Sequence, residues 1–196
     1  MPTPERLRRL RSVLERRQDD IEVILDNIHD SHNASAILRT CDGFGVGTVN
    51  LLYTDHEFPE ISEGVSGFTR KWMVFHRFSD PAVCAQELRR RCRPIYATSL
   101  DPGARNYLEV DWTPPAAIAF GNEHRGCTEA LLELADERIF IPMQGMARSF
   151  NVSVSAGIIL AEVSRQRLAA GLNPWSWSAD KERLYHAWVA RERLGD

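Results

Sequence analysis

The chain has 196 residues, 43% of them hydrophobic, and its 24 Lys and Arg against 27 Asp and Glu leave a formal charge of −3. That length and apolar fraction suit one main domain with short appendages, and the near balance of charge excludes a protein coated in positive charge. No run of about 18 or more apolar residues occurs, and no apolar segment follows Met1-Pro2-Thr3-Pro4-Glu5-Arg6, so a cytoplasmic protein with no membrane partner is expected.

The first segment, residues 1–19, concentrates Arg6, Arg8, Arg9, Arg11, Arg16 and Arg17, which face only Glu5 and Glu15 within the first turns. Leu7, Leu10, Val13 and Leu14 recur at helical spacing, which predicts an amphipathic helix docked on the main domain. Arginine used almost to the exclusion of lysine favours phosphate contact, because guanidinium binds phosphate bidentately; a solvated helix face is the plainer alternative. From Ile21 short β-branched runs alternate with helical stretches, the mark of an α/β domain, here over residues 20–171, with a mostly parallel sheet and helices on both faces. The expected strands are 21–28, 48–53, 72–76, 94–98, 116–120 and 138–142, and the expected helices are 34–44, 81–91, 128–135 and 152–169. Gly171-Leu172-Asn173-Pro174 should stop the last of these, leaving a tail, 172–196, with a terminal helix at 179–194 that offers Leu184, Trp188 and Val189 for packing.

Cys41, Cys84, Cys92 and Cys127 form no C-x-x-C pair and are expected to be reduced thiols. His29 and His32 lack a second ligand pair, so no metal is expected. Gly43-Phe44-Gly45-Val46-Gly47 follows a helix and precedes a strand, the reverse of the order a dinucleotide-binding turn needs, and should simply end the helix.

Three segments carry more chemistry than packing requires. In the first, Asn33-Ala34-Ser35-Ala36-Ile37-Leu38-Arg39-Thr40, Asn33 is placed to cap a helix that carries Arg39. The second, Ala119-Phe120-Gly121-Asn122-Glu123-His124-Arg125-Gly126, is a strand running into a polar loop, and such loops at strand C-termini are where open α/β sheets bind ligands. The third, Ile141-Pro142-Met143-Gln144-Gly145-Met146-Ala147-Arg148-Ser149-Phe150-Asn151-Val152-Ser153-Val154-Ser155, leaves a strand and opens a long helix with Ser149, Asn151 and Ser153 at its mouth. Backbone N–H groups at such a helix start suit an anionic or polar ligand group.

Together these segments resemble the three motifs of the SPOUT methyltransferases, specifically the TrmH group, over most of the chain from the arginine-rich helix to Arg167. The resemblance implies a deep trefoil knot at about 117–170, an exception to the rule against knotted chains. It also implies S-adenosyl-L-methionine as cofactor, with S-adenosyl-L-homocysteine as product, held by Thr98, Leu100, Gly121, Ile141, Met146, Ser149, Phe150 and Ser153. The reaction implied is methylation of a ribose 2′-hydroxyl of tRNA by a homodimer, and the arginine-rich helix points to the members that act on the D-loop guanosine at position 18. Arg39 is the implied catalytic residue, with Asn33, Glu123, Ser149 and Asn151 holding the loops around it; Arg8, Arg11, Arg165 and Arg167 are the implied RNA contacts.

Methyl transfer from a sulfonium to an alcohol is an in-line displacement in which the hydroxyl loses its proton. Guanidinium, with a pKa above roughly 12, is a poor base in ordinary surroundings. Two roles stay open for Arg39: proton acceptor with help from an RNA phosphate, or electrostatic stabiliser of the developing alkoxide. Phe150 and Gly157 stand where the group usually has an aliphatic residue and alanine, and Phe68-Thr69 replaces small or polar residues in the segment 64–72, which keeps its Lys71-Trp72. Trp175 and Trp177 either stack on RNA bases or pack. Another tRNA position, ribosomal RNA, and a non-catalytic RNA-binding role are the alternatives.

Overall fold

A computed structural model of the chain describes residues 2–59, 69–172 and 177–194. Within them β1 (Gln18–Asp26), β2 (Val46–Leu52), β3 (Val74–Phe78), β4 (Ile95–Thr98), β5 (Arg105–Asn106), β6 (Ala116–Gly121) and β7 (Glu137–Phe140) form one sheet, ordered β3-β2-β1-β6-β4-β7-β5, with every strand pair parallel. The helices are α1 (Pro4–Glu15), α2 (Ser31–Gly43), α3 (Pro81–Arg90), α4 (Glu129–Leu134), α5 (Val152–Ala169) and α6 (Ala179–Leu194). The α/β expectation holds, and no described helix is long and apolar enough to cross a membrane.

Two-residue periodicity sorts the strand side chains to opposite faces. Ile21, Val23 and Leu25 of β1 and Ala116, Ile118 and Phe120 of β6 pack under α2 and α5, whereas Ile24, Ala117 and Ala119 pack under α3 and α4. The second face also takes Glu22, buried and hydrogen-bonded by Arg91 and Asn50 at 2.9 Å each. β6 enters between β1 and β4, and β7 between the consecutive strands β4 and β5, an order that fits the knotted path implied above. In consequence the C-terminal ends of β1, β6, β4 and β7 stand side by side, with Asp26 opposite Gly121, Ala97 opposite Ala119 and Thr98 opposite Ile139.

Several boundaries differ from expectation. α2 starts at Ser31, capped by Asp30, whose carboxylate accepts the His32 N–H at 2.8 Å; Asn33 is therefore the third helical residue and not the cap. β3 lies two residues late because Thr69–Trp72 forms a single 3-10 turn that sends Trp72 against Trp188. β5 has only two residues, too few for any periodicity to announce. The expected glycine turn ends α2 as read: Gly45 has φ 77°, and a Cβ there would lie 2.5 Å from the Arg16 carbonyl oxygen.

α1 packs against α6 in a small separate cluster of Leu10, Leu14 and Trp188, with Val13, Trp72, Trp177, Leu184, Tyr185 and Val189 around it. This contact redistributes the arginine run. Arg6 is paired with Glu192 at 2.7 Å, and Arg17 is buried, donating to Asp42 at 2.6 Å and to the Val46 carbonyl at 3.2 Å. Arg8, Arg9 and Arg11 stay exposed, Arg11 lying over the Trp177 ring at 4.4 Å and beside Glu15 at 3.4 Å. Trp177 therefore packs; Trp175 and most of the segment 64–72 lie outside the described residues.

Arg167, expected as an RNA contact, is turned inward in this structure. It is 8% exposed, reaches both oxygens of Asp20 at 2.6 and 2.7 Å, and donates to the carbonyl of Thr113 at 2.7 Å. Gln166 beside it exchanges hydrogen bonds with the loop before β6, receiving the Trp112 N–H at 2.9 Å and donating to the Val110 carbonyl at 3.0 Å. The pair fastens the end of α5 to the entry of β6 and the start of β1. Arg165 is exposed and, among the described residues, paired only with the neighbouring Glu162 at 2.7 Å.

Candidate active site

The parallel strands point their C-terminal ends to one rim, and the loops leaving β1, β6 and β7 meet there. Glu123, in the loop after β6, accepts from the Asn33 side chain at 2.9 Å and from the backbone N–H groups of His29 and Asp30 at 3.3 Å each. Asn151, at the mouth of α5, donates from its side chain to the Asn33 oxygen at 3.1 Å. Residues separated by 90 and 118 positions thus form one chain of polar contacts, Glu123–Asn33–Asn151, at the start of α2. Burial tends to push the Glu123 carboxyl up, but the bonds from Asn33 and from the backbone outweigh it and hold its pKa below the ordinary value. Glu123 is ionised at neutral pH and acts as an acceptor.

Asn151 is also the cap of α5: its side-chain oxygen accepts from the Ser153 N–H at 2.9 Å and hydroxyl at 2.6 Å. Ser153 is therefore engaged by the cap, which leaves its backbone N–H unavailable to a ligand in this conformation. Arg39 follows on α2, exposed, and its guanidinium has no hydrogen bond or ion pair among the described residues. α2 packs on α5, so the helix that carries Arg39 and the helix opened by the third motif are one rigid pair.

The other expected residues line the neighbouring strand ends. Gly121 lies in a backbone crossing: a Cβ there would fall 2.0 Å from both the Cys127 nitrogen and the Gly126 carbonyl carbon. Gly121→Ala forces backbone apart, and we expect it to lower stability at the upper end of the about 1–3 kcal/mol typical of overpacking, read as a lower midpoint in thermal unfolding. Thr98 donates its hydroxyl to the Ala119 carbonyl at 3.0 Å, so it shapes the rim through its backbone position. Leu100 (65%), Met146 (102%) and Phe150 (40%) expose large apolar surface, Ile141 is half-buried against the core, and Ser149 is exposed. Exposed apolar side chains beyond the ends of β4 and β7 are of the kind that suits a flat heteroaromatic group. At Gly157 a Cβ would meet nothing within 4 Å, so that departure from the usual alanine leaves the fold undisturbed.

Three features of this rim were missed by sequence reasoning. Asp26 is fully buried and accepts the Thr128 N–H at 2.7 Å and hydroxyl at 2.9 Å. Asn27 has φ 52°, and Asn122 donates its side chain to the Asn27 carbonyl at 2.9 Å. The signal available was a polar pair, Asp26-Asn27, interrupting an otherwise apolar run that the strand pattern carried through to Ile28. His29 and His32 find no common partner: His29 stacks near His56 at 4.8 Å, and His32 lies beside Asp30 at 3.2 Å.

Comparison with known proteins places this geometry. Residues 20–161 match the model of the SpoU rRNA Methylase family. The chain is 46% identical over 170 residues to the tRNA (guanosine(18)-2′-O)-methyltransferase of Thermus thermophilus, covering 87% of each. With the enzyme of the same name from Aquifex aeolicus it shares 42% over 168 residues, covering 86% of this chain and 80% of the relative. The crystal structure of the Aquifex aeolicus TrmH/SpoU tRNA modifying enzyme superposes with a TM-score of 0.88 at 39% identity, covering 96% of both chains. The SpoU methyltransferase AviRb from Streptomyces viridochromogenes, solved with its cofactor AdoMet, superposes with a TM-score of 0.68 at 26% identity, covering 78% of this chain and 62% of that one. On the extent of the family match and of these identities, the chain belongs to the SpoU methylase family.

Proposed function

We propose that the chain transfers the methyl group of S-adenosyl-L-methionine to the ribose 2′-hydroxyl of guanosine 18 of tRNA, acting as a cytoplasmic homodimer. The observation that carries the reading is the junction of Asn33, Glu123 and Asn151 at the base of the helix that presents Arg39 unpaired to solvent. The names of the relatives supply the target.

Leu100, Ile141, Met146 and Phe150, with the backbone around Gly121 and Ser149, would hold the cofactor; Thr98 and Ser153 support that rim through their backbone and cap positions. When bound, the cofactor supplies an electrophilic methyl group on a sulfonium. The rest falls to the chain. The Arg39 guanidinium stabilises negative charge on the accepting oxygen as that hydroxyl gives up its proton to water. Glu123 and Asn151 fix Asn33, and with it the first turn of α2. The exposed Arg8 and Arg11 on α1 meet phosphate; Arg165 remains available for the same use, since an exposed i,i+3 pair is weak. The exposed Phe150 and Val154 leave an apolar surface for a second subunit.

Incubation of an unmodified tRNA transcript with labelled cofactor should place one methyl group on the ribose of guanosine 18, mapped by nuclease digestion. Incorporation that survives replacement of that guanosine removes the target assignment. Calorimetry that finds tRNA binding but no S-adenosylmethionine binding would instead support a non-catalytic RNA-binding protein.

A further inference from the structure

Asn27 follows the strand β1 with φ 52°, a left-handed conformation that most residues with a Cβ avoid and asparagine tolerates better than most, and it is 3% exposed. Glycine would make that turn with less strain, so the asparagine side chain needs its own reason. Its amide donates to the Asp26 carboxylate at 3.1 Å and to the Thr54 hydroxyl at 3.0 Å, and its oxygen accepts from the N–H groups of Thr54 at 2.9 Å and Asp55 at 3.3 Å. Its backbone N–H donates to the Leu52 carbonyl at 2.9 Å, and its carbonyl accepts from the Asn122 side chain at 2.9 Å. Side chain and backbone are both fully used.

The partners form a circuit. The Asn122 oxygen accepts the N–H groups of His124 and Arg125 and so folds the loop that presents Glu123. Glu123 then returns to His29, Asp30 and Asn33, only a few residues beyond Asn27. Asp26, held by Asn27, fastens the far end of the same loop through Thr128. The loops after β1, β2 and β6 thereby meet at one residue: the Asn27 side chain holds Asp26 and the loop after β2, and its carbonyl holds Asn122 of the loop after β6, so the height and rotation of α2 follow from that junction.

We propose that Asn27 is a positioning residue for methyl transfer: it holds the Glu123–Asn33 junction and so sets where Arg39 stands, an inference that rests on Arg39 being the group that acts on the accepting oxygen. Asn27→Gly keeps the backbone conformation and removes the side-chain bonds. Turnover at saturating tRNA and cofactor should fall about tenfold to a hundredfold, as small misplacements of a reacting geometry do. KM for tRNA and calorimetric affinity for the cofactor should stay within about twofold, because no binding group is removed.

An exchange of partners supplies the control against simple loss of folding. Asn27→Asp alone sets two carboxylates together and should also lose turnover. Asp26→Asn combined with Asn27→Asp restores a hydrogen bond with donor and acceptor reversed and should recover most of it. Parental turnover in Asn27→Gly, loss accompanied by an equal rise in KM, or a folded double variant no better than Asn27→Asp each overturns the proposal. Arg39→Ala is assayed alongside: if it keeps parental turnover, the reading of Arg39 fails and this proposal with it. If it is inactive while Asn27→Gly turns over normally, only this proposal fails.

Discussion

Arg39→Ala should severely impair methylation while leaving the protein folded. The side chain is exposed on the surface of α2 and has no partner among the described residues, so its removal strands no buried charge and opens no cavity. Alanine is also the better helix former, and the change in stability should lie within about 0.5 kcal/mol of zero. Turnover should fall by about 10²–10³, the usual cost of deleting one donor aimed at a developing oxyanion. Cofactor affinity, measured by calorimetry, should not change, because the residues proposed to hold the cofactor lie at the ends of β4, β6 and β7 and beyond them, not on α2. Arg39→Lys separates the two requirements. A lysine retains the charge and loses the planar fork, so partial turnover would show that charge suffices, and a loss equal to that of alanine would show that guanidinium geometry is needed. Near-parental turnover in folded Arg39→Ala removes the residue from the chemistry.

Much of the scaffold was legible in the sequence because its signals are local. The nearly unbroken apolar runs in β1 and β6 announce strands with two buried faces, and Gly43 to Gly47 announces a helix end and a turn. Glu123, Asn33 and Asn151 stood out as polar residues in places where packing has little use for them, and the structure joins all three. What the sequence hid is pairing over long separations. Nothing near Arg6, Arg17 or Arg167 indicates that Glu192, Asp42 and Asp20 pair with them, so the N-terminal arginines read as a single basic surface when Arg6 and Arg17 are tied to acids elsewhere in the chain. The cap of α2 was misplaced for a related reason. Asp30 and Asn33 are both good caps, and the choice between them depends on Glu123, which occupies the Asn33 side chain from another loop.

The same distinction between a charged surface and an internal tie makes Arg167→Ala a test of the fold. Asp20 and three backbone carbonyls, those of Trp112, Thr113 and Pro114, converge on this guanidinium. Removing it leaves the carbonyls without their donor and a carboxylate without its counter-charge, which for a buried pair costs about 3–5 kcal/mol. The Asp20 side chain is 34% exposed and recovers some solvation, so the lower end, about 3 kcal/mol, is expected. At about 2–4 °C per kcal/mol for a domain near this size, the melting temperature should drop by about 6–12 °C. Arg165→Ala, two residues earlier and exposed, should move it by no more than about 2 °C, the range of a surface change. In RNA binding the order reverses. Below its melting temperature Arg167→Ala should keep the parental dependence of tRNA affinity on salt, since a guanidinium already committed to Asp20 releases no counterions from phosphate. A parental melting temperature together with a shallower salt dependence would restore Arg167 to the RNA surface and remove it from the tie between α5, β1 and the entry of β6.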